Sequence, residues 1–367
     1  MRSFLAHEQE KTAVDAVPGD PPGSWGDFGR QGWFKLLLDE ERGGLGLSLR
    51  QVGHLFFPTG ASLVAGPLAD NVIALPLLCN ELGTDRPEVL AEALEGEGRI
   101  AFADHAVECI KSLRRPAPTI DHDWIKGTLS VVAGAPTADA IVVVARSASG
   151  PAICVLNTHI EGVTIEPVDA VDETTAYGDV VLDTPINRGD CVMEGSAAAS
   201  YLDRVRPSLV AVASCELSGI AEHLSEMALD YARTRQQFSR TIGSFQVIQH
   251  ILADMSVGVT SLRNLCISSL DEMVGAEIPW RVSATMKSYA SRTAQQVAEQ
   301  TLQIHGGVGF TEQLPLHRYL KRVLTLVGYY GDSKELNTHI GRSLLGTEHA
   351  SSPWDSDYGV KGSGDPD

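Results

Sequence analysis

No uninterrupted apolar run in the 367-residue chain approaches the roughly 20 residues that a membrane helix requires. The opening MRSFLAHEQEK carries charge where a signal peptide would place its apolar stretch, so a cytoplasmic protein is expected. Basic residues are scarce too: 29 Lys and Arg stand against 47 Asp and Glu, a net charge of -18. That balance excludes nucleic-acid binding through a general electrostatic field and leaves room only for a local cationic pocket facing a phosphorylated small molecule. The six cysteines (Cys79, Cys109, Cys154, Cys191, Cys215, Cys266) lie far apart, with no C-x-x-C pair. Their mostly apolar neighbours predict reduced, buried thiols rather than disulfides or metal ligands. There is no P-loop, no Rossmann glycine fingerprint and no serine-histidine-aspartate arrangement, so hydrolase and nicotinamide-dehydrogenase readings have no footing.

What is present is the composition of a globular protein, 43% hydrophobic and 21% charged, long enough for two or three domains. Residues 1–98 read as a helical domain, through WFKLLLDEE, SLRQVGHLFF and PLADNVIALPLLCNEL, with a Pro-rich and acidic start that is expected to fray. Between 99 and 190 the texture becomes short runs of Val and Ile (WIKGTLSVVAGA, ADAIVVVARSASGPAICVL, GVTIEPV, GDVVLDT) broken by Gly, Pro, Asp and Ser. This is how a middle antiparallel β domain reads, with SASGP as a hairpin turn. From 191 to 346 apolar residues recur at helical spacing in three long stretches, which predicts a C-terminal four-helix bundle. The polar tail 347–367 is expected to be disordered. The fold class is thus α+β and multidomain.

One stretch stands out against the acidic background. RTRQQFSRTIGSFQVIQHILADM, residues 233–255, places Arg233, Arg235 and Arg240 within eight positions. Together with QIHGGVGFTEQLPLHRYLKR (303–322), YARTRQQFSRTIGSFQVIQHILADM resembles the two C-terminal motifs of the acyl-CoA dehydrogenase family. GWFKLLLDEERGGLGLSLRQVG looks like that family's N-terminal domain, and the resemblance covers roughly residues 30–345, more weakly in the β region. It implies FAD, an acyl-CoA substrate, electron-transferring flavoprotein as a partner, and a flavin site shared between two subunits. Carried onto matching positions, Arg235 would pair with the pyrophosphate and Phe238 would lie against the adenine side. Ser244, Phe245 and Gln246 would line the same pocket, and Gln303, Gly306 and Gly307 would close it. The chemistry agrees: an arginine offers a fork to a diphosphate, and paired glycines let backbone N–H groups approach it.

The catalytic half of the family pattern is missing. The family base is the glutamate of a Y-E-G-T motif, and the matching stretch here is YYGDSKEL, with Tyr330 at that position. A phenol with an ordinary pKa of about 10 is a poor base for a carbon acid at neutral pH. The alternative position on the first bundle helix falls near Leu209 or Val210, again without a carboxylate. Two acids remain as weak candidates. Asp332 has the spacing of a helix N-cap with Glu335, and Glu216 reads first as a buried or interface acid. Tyr329 and Tyr330 are expected to plug the empty pocket. In place of the T-E-P-x-x-G-S-D-like loop stands AFADHAVECI, and SVVAGAPTAD replaces the strand that usually meets the isoalloxazine ring. His305 and His317 read as structural, and Arg342 is balanced between a thioester contact and a helix-dipole role. The expectation is therefore a subunit that gives the ADP-binding half of a shared FAD site to a homologous partner, in an α2β2 assembly of the kind that acts on steroid side-chain CoA esters. The alternatives are a silent structural homologue and a homomeric flavoenzyme with a relocated base.

Overall fold

Glycine decides how the N-terminal helices meet the rest of the chain. A computed structural model describes residues 24–105, 115–187, 189–273 and 278–346. Of the start expected to fray, 1–25, only Ser24 and Trp25 are among these residues, where they open a helix; the tail 347–367, Cys109 and the later part of AFADHAVECI fall outside them. The N-terminal region comprises α1 (Ser24–Arg30), α2 (Leu49–Gly53), α3 (Phe56–Ala61), a π-helical stretch (Asp70–Ala74) running into α4 (Leu75–Leu82), and α5 (Glu88–Glu95). Ser48 caps α2 in a reciprocal capping box with Gln51. The long helix α6 (Gly195–Thr234) crosses α3 at Gly60 and Gly219. A Cβ on Gly219 would stand 1.9 Å from the Phe57 carbonyl oxygen, and one on Gly60 would stand 2.2 Å from that of Glu216. Only glycine admits the crossing, and it fixes the backbone of Glu216 against the N-terminal domain.

The middle region forms a sheet of β1 (Ile100–Ala103), β2 (Thr119–Asp121), β3 (Trp124–Ala133), β4 (Ala140–Ser147), β5 (Gly150–Asn157), β6 (Val163–Val168), β7 (Tyr177–Pro185) and β8 (Cys191–Glu194). Its order is β6-β7-β3-β2-β4-β5-β8, with β1 alongside β4. The SASGP segment closes the β4–β5 hairpin, where Ser147 faces Gly150. The sheet is mixed rather than wholly antiparallel, since β1 and β2 both run parallel to β4. The connectivity explains β2: β3 pairs antiparallel with it, the chain reverses again, and β4 returns in the original direction. In β4, Ile141, Val143 and Ala145 enter the domain's own core with Leu129, Val180 and Leu182, while Ala140, Val142 and Val144 face the core shared with the helices. Burial on both faces is why ADAIVVVA reads as one apolar run rather than an alternation.

The C-terminal helices are α6, α7 (Gln246–Glu272), α8 (Trp280–His305), α9 (Leu316–Gly328) and α10 (Ser333–Leu344). A short hairpin of β9 (Gln236–Gln237) and β10 (Arg240–Thr241) joins α6 to α7. From Val205 to Ala221 every residue of α6 is buried, because this helix is packed by α3, β5, α7 and α8 around its circumference. Among the described residues no helix is long and apolar enough to cross a membrane.

Candidate functional site

The two C-terminal motifs meet at one end of the bundle. Tyr231, in the last turn of α6, stacks on His305, the last residue of α8, with ring centroids 4.3 Å apart and planes 24° from parallel. That contact sets the β9–β10 hairpin beside the turn that begins at Gly306. Phe238 and Ser239 form the hairpin tip, both with positive φ (53° and 60°), the backbone of a tight primed turn built here without glycine. Phe238 is 87% exposed and lies edge-on to Phe245 at 6.3 Å, while the Arg240 guanidinium sits 3.9 Å from the Phe245 ring centroid. The Ser244 hydroxyl donates to the Thr241 carbonyl at 2.7 Å, and Gln246 opens α7 in an exposed position. Arg233 pairs with Asp230 at 3.6 Å, whereas Arg235 is exposed and has no ion-pair partner among the described residues. Gln303 is exposed, and a Cβ added to Gly306 or Gly307 would meet nothing within 4 Å, so bare backbone faces open space there. Among the described residues this end combines an exposed arginine that has no ion-pair partner with glycine backbone that faces open space, groups suited to a diphosphate, although the Gly306 N–H itself donates to the Leu302 carbonyl. His305 is a structural residue, buried, with Nδ1 2.8 Å from the Thr301 carbonyl oxygen, and His317 Nδ1 lies 3.2 Å from that of Leu314. Among the described residues no group of His, Cys, Asp or Glu could hold a metal.

The junction of the three regions is different. A cavity of only about 60 Å³ remains there, with Asp70, Tyr177, Glu216, Arg322, Tyr329 and Tyr330 in its wall. Sites for drug-sized or cofactor-sized ligands run to roughly 300–1,000 Å³, so a flavin ring does not fit this space. Arg322, on α9, fills the centre. Its Nη1 donates to Glu216 Oε1 at 2.9 Å, its Nη2 to the Val64 carbonyl at 3.1 Å, and its Nε to Thr174 Oγ1 at 3.1 Å. Asp172 Oδ2 lies 2.7 Å from Nε but receives no well-aligned hydrogen bond, while Asp172 Oδ1 accepts from the Thr174 N–H at 3.0 Å. One guanidinium therefore ties the N-terminal helices, the β domain and the bundle. Burial works against its charge, yet Asp172 and Glu216 together hold its pKa above the ordinary value. Burial raises the Glu216 pKa, with the arginine opposing.

The tyrosines complete the closure. Tyr330 is buried with a φ of 62°, and the Tyr329 hydroxyl donates to the Val131 carbonyl. Val131 sits at the irregularity between Leu129 and Val132 of β3, with a φ of 59°, inside the SVVAGAPTAD stretch. Asp332 accepts the Glu335 N–H at 2.8 Å and is the N-cap of α10. Lys287 is fully buried beneath this loop, its ammonium donating to Ser291 Oγ at 3.0 Å and the Gly331 carbonyl at 3.3 Å. Burial lowers its pKa to about 7, with Asp332 opposing. Asp70, on the π-helical stretch, accepts the Phe102 N–H at 3.0 Å, and burial raises its pKa to about 7 against that bond.

Arg322, Asp172, Asp70 and Lys287 were not anticipated from sequence. Arg322 had a signal: it falls between Tyr319, Val323 and Leu326 on the buried stripe of α9, where an unpaired cation could not stay. Asp70 likewise interrupts an apolar run. Arg342, weighed as a thioester contact, is exposed near the end of α10.

Residues 196–345 match the model of the acyl-CoA dehydrogenase C-terminal domain. The chain is 26% identical over 372 residues to a 3-(aryl)acrylate reductase of Clostridium sporogenes, covering 94% of this chain and 96% of the relative. It is 28% identical over 349 residues to acyl-CoA dehydrogenase FadE27 of Mycobacterium tuberculosis, covering 87% and 89%. Its fold is that of a chain in the ChsE4-ChsE5 complex of Mycobacterium tuberculosis, with a TM-score of 0.81 at 24% identity over 95% of this chain and 96% of that one. The fold is an acyl-CoA dehydrogenase fold, and residues 196–345 are similar to the C-terminal domain of the acyl-CoA dehydrogenase family.

Proposed function

We propose that this chain is a subunit of a heteromeric, FAD-dependent acyl-CoA dehydrogenase, contributing the dinucleotide half of a flavin site whose ring pocket and base belong to a homologous partner in an α2β2 assembly. FAD bound across that boundary supplies the acceptor for the β hydride when an acyl-CoA is oxidised to the trans-2-enoyl-CoA, with electron-transferring flavoprotein downstream and a role in cytoplasmic steroid or fatty acid degradation. On this side Arg235 grips the pyrophosphate as a fork and Phe238 covers the adenine. Ser244, Phe245 and Gln246 line the groove, and the backbone at Gly306 and Gly307, with Gln303, closes it.

The contrast between the two ends of the molecule carries the reading. The hairpin end offers an Arg235 with no ion-pair partner among the described residues and open glycine backbone, while the junction, where a ring and base would be needed, is filled by Arg322, Tyr329 and Tyr330. Glu216 is neutralised by Arg322 and Asp332 is committed to the Glu335 N–H, so neither stands ready to take an α proton. The complex-forming structure that shares this fold gives the heteromer a precedent.

The test is co-expression with a homologue that carries glutamate where this chain has Tyr330. The chain alone is expected to purify colourless, the complex yellow, and R235A is expected to strip FAD from the complex. A lone chain that is yellow and bleached by acyl-CoA defeats the proposal. Unchanged FAD content in the R235A complex would instead make this chain a silent structural homologue.

A further inference from the structure

The described cysteines include two close pairs. Cys154 of β5 and Cys191 of β8 are register partners on antiparallel strands, at the irregularity that follows Ile153, and the Cys191 thiol lies near enough to raise the Cys154 pKa. Directly opposed antiparallel residues have Cα atoms about 4.5–5.5 Å apart, inside the roughly 4.4–6.8 Å window for a disulfide. Cys215 and Cys266 form the second thiol–thiol contact, between α6 and α7. All five described cysteines are free.

Access separates the pairs. Cys215 and Cys266 are both wholly buried between helices. In the other pair Cys154 is wholly buried, but Cys191 is only half-buried and sits on β8, the four-residue edge strand of the sheet. A small oxidant can therefore reach Cys191 from the edge without the chain opening. The residue behind it is the only other thiol in reach among the described residues.

We propose that Cys154 and Cys191 are a dithiol–disulfide modification site, oxidised by low-molecular-weight disulfides, with Cys191 attacking and Cys154 resolving. Cys191, as thiolate, attacks one sulfur of the small disulfide, and the other sulfur leaves as a thiolate. Cys154 then loses its proton and attacks the Cys191 sulfur of the mixed disulfide, releasing the second small thiolate. The two protein S–H protons end on the two small thiols, so the protein loses two hydrogens and one small disulfide is reduced. Rate follows from the surroundings. The Cys191 thiol donates to Glu194 Oε1 at 3.3 Å, and the neighbouring Cys191 thiol, then burial, then the nearby Glu194 and Asp190 charges keep the Cys154 thiol protonated. Exchange is slow, and the pair behaves as a lock set by sustained oxidation rather than as a rapid sensor. The closed loop spans β6, β7 and the Asp172–Thr175 segment that holds Arg322, so the lock fastens the β-domain side of the junction.

The experiment exposes the native full-length C109S chain to oxidised glutathione, followed by maleimide labelling and intact-mass analysis. The expected product has lost the mass of two hydrogens and two labelling sites, regains both with dithiothreitol, and is blocked by either C154S or C191S but not by C215S. Should those serine variants fail to fold, peptide mapping of the oxidised C109S chain must find the 154–191 cross-link. A product that stops at the mixed disulfide, one that loses Cys215 and Cys266 at the same rate, or no change after prolonged exposure would each overturn the proposal.

Discussion

Replacing Arg322 by methionine leaves Glu216 and Asp172 as two carboxyl groups at the three-way junction with no cation between them. Arg322 is 6% exposed and Asp172 1%, so solvent screening is weak and the loss is that of a broken buried pair, about 3–5 kcal/mol. The sign with pH is fixed. Without the guanidinium, burial is left unopposed at Glu216 and holds its folded-state pKa further above the unfolded value, so the folded state binds more protons than the unfolded one as pH climbs from the acid range. Stability is then lost with rising pH, and the deficit against wild type falls to roughly half near pH 4, where the stranded charge is protonated, and is complete above neutrality. Urea unfolding at pH 4.5 and pH 8 measures this, with R322M/D172N/E216Q as the rescue that removes the stranded charge. Recovery of roughly half the loss is expected, because the hydrogen bonds to Val64 and Thr174 do not return. A deficit below about 1 kcal/mol, unchanged between the two pH values, would refute the electrostatic account.

Asp70 gives the same sign within the wild-type protein: its folded pKa of about 7 lies above the ordinary 3.8, so its stability contribution is present in acid and lost as pH rises to neutrality. At roughly 1.4 kcal/mol per pH unit the upper bound is about 4 kcal/mol, and D70N should match wild type near pH 4 and exceed it at pH 8 in thermal melts. Lys287 works from the alkaline side. Its folded pKa of about 7 lies below 10.5, so stability rises between those values, and K287M should flatten that rise in urea titrations at pH 7 and pH 10. G219A drives a methyl group against the Phe57 carbonyl and should cost at least about 3 kcal/mol by denaturant unfolding, whereas G341A, with nothing within 4 Å of the new carbon, should cost little.

The periodicity of the sequence made the layers legible. The apolar stripes of α6, α7 and α8 and the Val/Ile runs between Gly, Pro and Asp follow from local geometry, and local geometry is what a single sequence displays. Strand direction was not legible, because an alternation pattern reads the same either way along the sheet; only the order of β2, β3 and β4 settles it. Asp332 was legible as an N-cap, since capping acts over three residues. The Arg322 junction was not, because Val64, Asp172, Glu216 and Arg322 are up to 258 positions apart and meet only when three regions fold together. Nor does spacing along the chain say that Tyr329 reaches Val131 across 198 positions and closes the space from above.

The hairpin end has a consequence for the subunit on its own. Phe238 at 87%, Phe310 at 74% and Val247 at 63% exposure put an adhesive tip on a molecule of net charge -18. Mutual repulsion keeps such tips apart in dilute buffer, and added electrolyte shortens its reach to about 10 Å at 0.1 M. Isolated copies should therefore cluster as salt is raised, visible by light scattering, while in the proposed heteromer copies docked to a partner would stay dispersed. Under that proposal, balanced synthesis of the two polypeptides would serve solubility as well as catalysis.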